Sequence, residues 1–259
     1  MKFGRLPRKF DPRVPHWSAL RYAATPLPQA PASESYTATI PDIQMLGNDV
    51  YGDCACAGAY HLLQLWQWNA SRTMPAAGTE QALQLYSEVT GFNINAGPPD
   101  KNPTDQGTAL QDLLAYWLNT GIPLADGSRH KILAYFEIDP LNVADLNLAT
   151  AESAGLYTGW NVPAYVQQQM SPGAVWNTGA DSTTVGGHCT VSGGYSVNGD
   201  REAESWGSTH YTMTELFWQK QVEEVYVLIS PEFVQTRGNT PFGISLEDWQ
   251  TQMLALQSE

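Results

Sequence analysis

Cys54 stands where the character of the chain changes. Residues 48–53 are polar and broken by glycine, and the residues that follow, ACAGAYHLLQLWQW, are apolar with helical spacing. A thiol at the mouth of a helix lies at the positive end of the peptide dipole, which favours the thiolate. The N–H groups of a first helical turn have no partner inside the helix and point where an oxyanion would form. One short stretch thus offers a nucleophile, a field that activates it and donors for the charge it creates. Asp53, just before the thiol, is placed to be the helix N-cap.

A thiolate nucleophile needs a base, and the base needs an orienting group. Of the five histidines, His16 lies in the N-terminal arm, His61 falls two turns along the helix of Cys54, His130 opens a strand and His210 comes after the last turn. His188 follows Gly186 and Gly187 at the start of a β-hairpin whose turn is marked by Asn198-Gly199. On the returning strand, period-two alternation predicts that Glu204 and Trp206 share one face and that Ser205 points away. A carboxylate and an indole would then flank the imidazole. A metal site from Cys54, Cys56, His188 and Cys189 is geometrically poor, because i,i+2 residues of a helix diverge and adjacent strand residues point oppositely. Neither a metal nor a cofactor is expected.

The elements that must position these groups are readable from periodicity. The spacing predicts a helix over 54–68, a second from an N-cap at Thr79 to Gly91, and a third, capped by Thr108 and ended by Gly121. Pro98, Pro99 and Pro103 mark the loop before the third. Strands are expected over 130–138, 155–160 and 222–230, a short helix over 140–153, and a last helix over 245–257 opened by Ser245 with Asp248 three residues on. A helical first half before a β-rich second half suggests two lobes with a cleft between.

The chain has 259 residues, 42% hydrophobic, with nine Trp and twelve Tyr, enough for a sizeable core. Its formal net charge of −13 argues against general nucleic-acid binding. Residues 1–21 hold six of the thirteen basic residues and one acid, Asp11, leaving seven basic against 25 acidic residues in the remainder. A basic, proline-rich arm on an acidic body is expected to lie on that body or on an acidic partner. Three cysteines make no disulfide framework, the first residues lack the apolar core of a signal peptide, and no apolar run reaches membrane-spanning length. The expectation is a cytoplasmic or otherwise intracellular protein, virion association included, that engages neither membrane nor nucleic acid.

Together these motifs resemble the papain-like cysteine peptidases, in a distant bacterial or phage-type form. His188 lies 134 residues after Cys54 and Glu204 lies 150 after it, within the range of that family. Asn48 stands six residues before the cysteine, where the family has Gln, and Gly52 two before it. Gly194-Tyr195 matches a Gly-Tyr pair, and Glu204-Ser205-Trp206-Gly207 takes the place of the family's Asn-Ser-Trp-Gly. TEQALQLYSEVTG resembles the family's second helix, and DQGTALQDLLAYWLNTGI the loop and helix lining the cleft. The likeness spans roughly residues 38–230.

The resemblance implies an α+β, two-lobed fold: a helical N-terminal lobe, an antiparallel β-barrel-like C-terminal lobe and a cleft between them. It implies that Cys54 attacks a carbonyl carbon, that His188 moves the proton, and that Asn48 and the Cys54 N–H hold the oxyanion. Glu204 then orients His188, Trp206 shields their contact, and Gly107 lets a substrate backbone approach closely. The organisation expected is an extended arm (1–35), a helical lobe (36–125), a β-rich lobe (126–240) and a terminal helix (241–259), with a peptide or protein as substrate. The competing expectation is a catalytically weak or inactive module, a structural or binding component of a phage particle or other assembly reached through the arm. A third is an arm that inhibits its own cleft.

Overall fold

VEEVYVLIS puts apolar side chains on both faces of a strand, and such a strand needs cover on both sides. The computed structural model, which describes residues 2–21, 29–41 and 43–232, supplies it. Tyr226 and Leu228 enter one apolar cluster, while Val225, Val227 and Ile229 enter another on the opposite face.

The helices are α1 (Trp17–Arg21), α2 (Cys54–Ser71), α3 (Thr79–Thr90), α4 (Leu110–Asn119), α5 (Val143–Ser153) and α6 (Glu215–Gln221). The strands are β1 (Glu34–Ser35), β2 (Ile122–Pro123), β3 (Arg129–His130), β4 (Ala134–Ile138), β5 (Leu156–Pro163), β6 (Val175–Trp176), β7 (Thr184–Ser192), β8 (Gly194–Tyr195), β9 (Arg201–Ser205), β10 (Ser208–Met213) and β11 (Val222–Ile229). The main sheet runs β1-β8-β9-β7-β5-β11-β4 through antiparallel pairs, with β10 on β9 and a parallel β6 on β10. The path is open, and no closed barrel exists among the described residues, which corrects the barrel-like expectation.

The first apolar cluster joins α2, α3 and α4 to one face of this sheet through Tyr157, Cys189, Val191, Tyr226 and Leu228. The second lies on the other face, around Trp17, Phe136, Trp160, Trp176, Trp206, Tyr211 and Phe217. α2 is enclosed on every side, and each residue from Cys54 to Trp66 is buried. Its small residues let it sit close to the sheet: a Cβ on Gly58 would stand 3.1 Å from both Cys189 Sγ and Tyr157. The Tyr157 hydroxyl donates to the Ala55 carbonyl at 2.5 Å, tying the first turn of α2 to β5.

Several boundaries differ from expectation for local reasons. Gly78, not Thr79, is the N-cap of α3, and its N–H donates to Gln81 Oε1 at 2.9 Å. Ala109, not Thr108, is the N-cap of α4, with an extended backbone, and Thr108 is instead hydrogen-bonded to the N-terminal arm. The single strand expected over 130–138 is two. β3 pairs with β2 in a small separate sheet, and β4 pairs with β11 in the main one. The helix expected over 245–257 lies outside the described residues.

Gly58→Val tests the spacing between α2 and β7. Overpacking there should cost about 1–3 kcal/mol, read as a lower urea midpoint at unchanged slope. An unchanged or higher midpoint would contradict the contact.

Candidate active site

Cys54 is the first residue of α2 and fully buried. The turn before it is held from outside. The Gly52 N–H donates to Asp105 Oδ1 at 3.0 Å, and the Tyr86 hydroxyl donates to the same oxygen at 2.7 Å. The Gly107 N–H donates to the Tyr86 oxygen at 2.7 Å, and Lys2 Nζ reaches Asp105 Oδ2 at 2.5 Å. One buried carboxylate therefore ties together the nucleophile turn, the 105–108 loop and the arm. Asp53 occupies the N-cap position but makes no capping bond, and both its carboxylate oxygens are buried without a partner. Burial raises its pKa well above the usual range, which favours the neutral form.

The expected activation by the helix dipole is overridden in this state. Burial pushes the Cys54 thiol up to about 12, against the downward pull of the backbone N–H groups of Cys189, Gly4 and Ala55. Those groups place the sulfur beside the strand that carries His188. His188 is itself fully buried, and burial, then His61, lowers it to about 3. Its Nε2 lies 2.7 Å from Ser205 Oγ. The Trp206 indole stacks on the ring at 4.1 Å between centroids and 14° between planes. Trp160 and Phe3 meet it edge-on at 5.6 and 6.2 Å. Its Nδ1 is buried without a hydrogen bond, so none joins it to Cys54. The two chain segments meet, and the two side chains stand uncharged and unbonded to each other.

The side chain hydrogen-bonded to His188 is that of Ser205 and not the expected Glu204. In the β7–β9 pair Val191 faces Glu204, so Ser205 stands on the His188 face and Glu204 on the other. Glu204 Oε1 accepts from the Gly193 N–H at 3.1 Å, while Oε2 is buried without a partner. Burial and then Glu202 raise its pKa well above the usual range. Trp206 does not share a strand face with Glu204, since β9 ends at Ser205. Trp206 and Gly207 have φ of 46° and 73° and form the two-residue turn between the paired residues Ser205 and Ser208. A tryptophan in the left-handed region costs about 1–2 kcal/mol, and the conformation lays its indole on His188.

Asn48 is buried, with its N–H donating to the Met45 carbonyl at 3.1 Å and its Oδ1 unpartnered. His61 is satisfied by the Gln44 carbonyl at 2.8 Å. His130 accepts from Trp117 Nε1 at 3.1 Å and pairs with Glu232. Among the described residues no three His, Cys, Asp or Glu side chains converge as a metal site, and no helix is long and apolar enough to cross a membrane.

The arm covers this site. The Thr108 N–H donates to the Gly4 carbonyl at 2.8 Å, the Leu6 N–H to the Thr108 carbonyl at 3.0 Å, and the Arg5 N–H to the Gly187 carbonyl at 2.9 Å. Glycines make the approach feasible. A Cβ on Gly107, where φ is +82°, would stand 2.2 Å from the Gly4 oxygen, and one on Gly4 would stand 1.9 Å from the Gly52 oxygen. The arm's cations meet body carboxylates: Lys2 with Asp105, Arg5 with Glu223 and Glu224, Arg8 with Glu137, and Lys9 with Asp112. Sequence reasoning missed Ser205, Asp105 and Gly4, because each acts through a register or a contact that no local pattern encodes.

This is the fold of the papain-like cysteine proteases. Xylellain, a cysteine protease from Xylella fastidiosa, aligns with a TM-score of 0.65 at 14% identity, over 88% of this chain and 96% of that one. The digestive procathepsin L 3 of Tenebrio molitor aligns at 0.58 and 10% identity over 80% and 72%. The proform of the ragweed cysteine protease Amb a 11 aligns at 0.56 and 15% identity over 83% and 73%. No family model and no curated protein matches the sequence.

Glu204→Gln reports on that buried carboxyl. A folded-state pKa raised above the unfolded one gives stability that is full below about pH 4.5 and lost as pH rises towards the folded pKa, by at most about 1.4 kcal/mol per unit. The variant should therefore gain on the wild type in urea midpoint from pH 5 to pH 8. A constant difference would mean that Glu204 is ionised in the fold.

Proposed function

We propose that this chain is a cysteine peptidase, or a related acyl or amide hydrolase, held shut by its own N-terminal arm. The observation that carries the reading is the backbone of residues 4–6, hydrogen-bonded on one side to Thr108 and on the other to Gly187 directly beside Cys54 and His188. A polypeptide in extended form already occupies the line that a peptide substrate would take.

In the open state, water replaces the arm over the sulfur and the ring. The desolvation that holds both neutral falls away, and the helix mouth and imidazole then favour the thiolate–imidazolium pair. Cys54 attacks the substrate carbonyl, with the Cys54 N–H and the Asn48 side-chain amide as donors to the oxyanion. His188 passes its proton to the leaving amine and afterwards deprotonates the water that releases the acyl group. Ser205 orients the ring through Nε2, leaving Nδ1 for the sulfur, and Trp206 keeps water from that contact. The substrate is a peptide or protein, with Gly107 as a backbone docking point.

A second reading keeps the protein as a binding or structural module. It is favoured by the neutral, unbonded state of Cys54 and His188 and by an arm whose cations are already engaged.

The full-length Gly4→Trp variant separates the two, since no side chain fits between Gly4 and Gly52. Alkylation of Cys54 by iodoacetamide at pH 7.5 should rise by about 100-fold or more over wild type. Peptide hydrolysis should appear with it and vanish in Gly4→Trp/Cys54→Ala. Fast labelling without hydrolysis favours the module; slow labelling contradicts the proposed seating of the arm. In the same background Ser205→Ala should lower kcat by about 10–100-fold, with KM little changed.

A further inference from the structure

Arg5 of the arm is buried in the body, and what receives it is a built pocket. Its Nε donates to Glu224 Oε1 at 2.7 Å, one terminal nitrogen to Glu223 Oε2 at 2.6 Å and the other to Asn161 Oδ1 at 3.2 Å. The Arg5 and Glu224 side chains are each 1% exposed, and Glu223 is 43% exposed at the rim. The second oxygen of Glu224 accepts from the Tyr226 hydroxyl at 2.9 Å, and Asn161 Nδ2 donates to Glu223 Oε1. The acceptors are thus held in place from behind by β5 and β11.

The floor of the pocket is a missing side chain. Gly159, opposite Glu224 in the β5–β11 pair, would carry a Cβ 2.6 Å from Arg5 Nε and 2.6 Å from Glu224 Cγ. Any residue but glycine there would fill the space of the guanidinium. The pocket also adjoins the reacting groups. The Arg5 N–H bonds to Gly187, which precedes His188, and the neighbouring Gly4 lies over the turn of Cys54.

Tyr226 and the Asn161–Glu223 bond hold these acceptors in position without help from Arg5. Departure of the arm therefore leaves a site that demands a planar, multiply donating cation. A lysine ammonium satisfies one of these acceptors well, and a guanidinium satisfies all three.

From this we propose that Glu224, Glu223, Asn161 and the space over Gly159 form a guanidinium subsite, which selects peptide substrates bearing an arginine next to the residue lying over Cys54. The substrate assignment rests on the hydrolase reading; the guanidinium site itself does not. The arm then holds the enzyme with the same side chain that the substrate presents.

The test uses full-length Gly4→Trp/Cys54→Ala, in which the arm is displaced and hydrolysis is absent. The probes are the peptide acetyl-Phe-Gly-Arg-Leu-amide, copying residues 3–6, and its citrulline counterpart, which keeps the shape and loses the charge. Calorimetric titration should show the arginine peptide binding about 100-fold or more tightly than the citrulline peptide. Glu224→Gln should collapse that ratio to below about 10-fold, and Gly159→Ala should weaken the arginine peptide by a similar factor. Arg5→Glu, which drives the arm out by repulsion, replaces Gly4→Trp should the latter fail to fold. Separately, Gly4→Trp with active Cys54 is given peptides carrying arginine or citrulline at each of three positions on either side of the cleaved bond. One position should favour arginine about 100-fold in kcat/KM. Equal binding of the two peptides overturns the subsite even if peptides are cleaved. Arginine-selective binding with no cleavage upholds the subsite and overturns only the hydrolase.

Discussion

Gly4 lies so close to Gly52 that a methyl on it would stand 1.9 Å from the Gly52 oxygen, and the cover over Cys54 depends on that approach. Gly107 and Gly187 grant the same proximity on either side, with a Cβ only 2.2 Å from the Gly4 oxygen or 2.5 Å from the Arg5 oxygen. Where backbone meets backbone without a side chain between, the available donors and acceptors are the peptide groups themselves, and they pair across both edges of the arm. The hydrogen bonds to Thr108 and Gly187 follow from the glycines, and the ion pairs of Lys2, Arg5, Arg8 and Lys9 follow from the direction the backbone is made to take.

Burial decides the charge state of nearly everything near the sulfur. Cys54 goes up, His188 goes down, and Asp53 and Glu204 go up, each with desolvation as the largest cause. A helix terminus contributes about 0.3–1 kcal/mol to a nearby charge, whereas full burial moves a pKa by as much as 3–5 units. The dipole that the position of Cys54 brings to mind is thus present and outweighed. The ion pairs differ in weight for the same reason. Lys9 and Asp112 are exposed and worth at most about 1 kcal/mol, while Arg5 and Glu224 are buried, so that removing one strands the other.

Much of the fold was legible. The helices from Cys54, around Thr79 to Thr90 and after Thr108 follow from apolar spacing, and the Asn198-Gly199 hairpin and the strand at Val222–Ile229 follow from turn chemistry and a continuous β-branched apolar run. Strand register was not legible, and it sets the partner of His188. Counting along β9 gives the faces of Glu204 and Ser205 relative to each other, but only the pairing of Val191 with Glu204 says which of them meets the imidazole. Trp206 escaped the same count, because a residue in a turn with positive φ no longer obeys the strand's alternation. Asp53 has the residue type of an N-cap, and its carboxylate is buried near Gly47 without a capping bond.

The arm and the site it covers are one covalent chain, with Gly4 fifty residues from Cys54. Its return after a departure is a first-order event, set by the effective molarity of a tethered segment and indifferent to how much protein is in solution. Dilution cannot uncover Cys54, and a rival ligand must outcompete a segment that the chain keeps permanently close to the site. Severing the chain anywhere between the two would turn that captive occupant into a freely diffusing one, after which its concentration relative to its dissociation constant would govern what fraction of the sulfurs stays hidden.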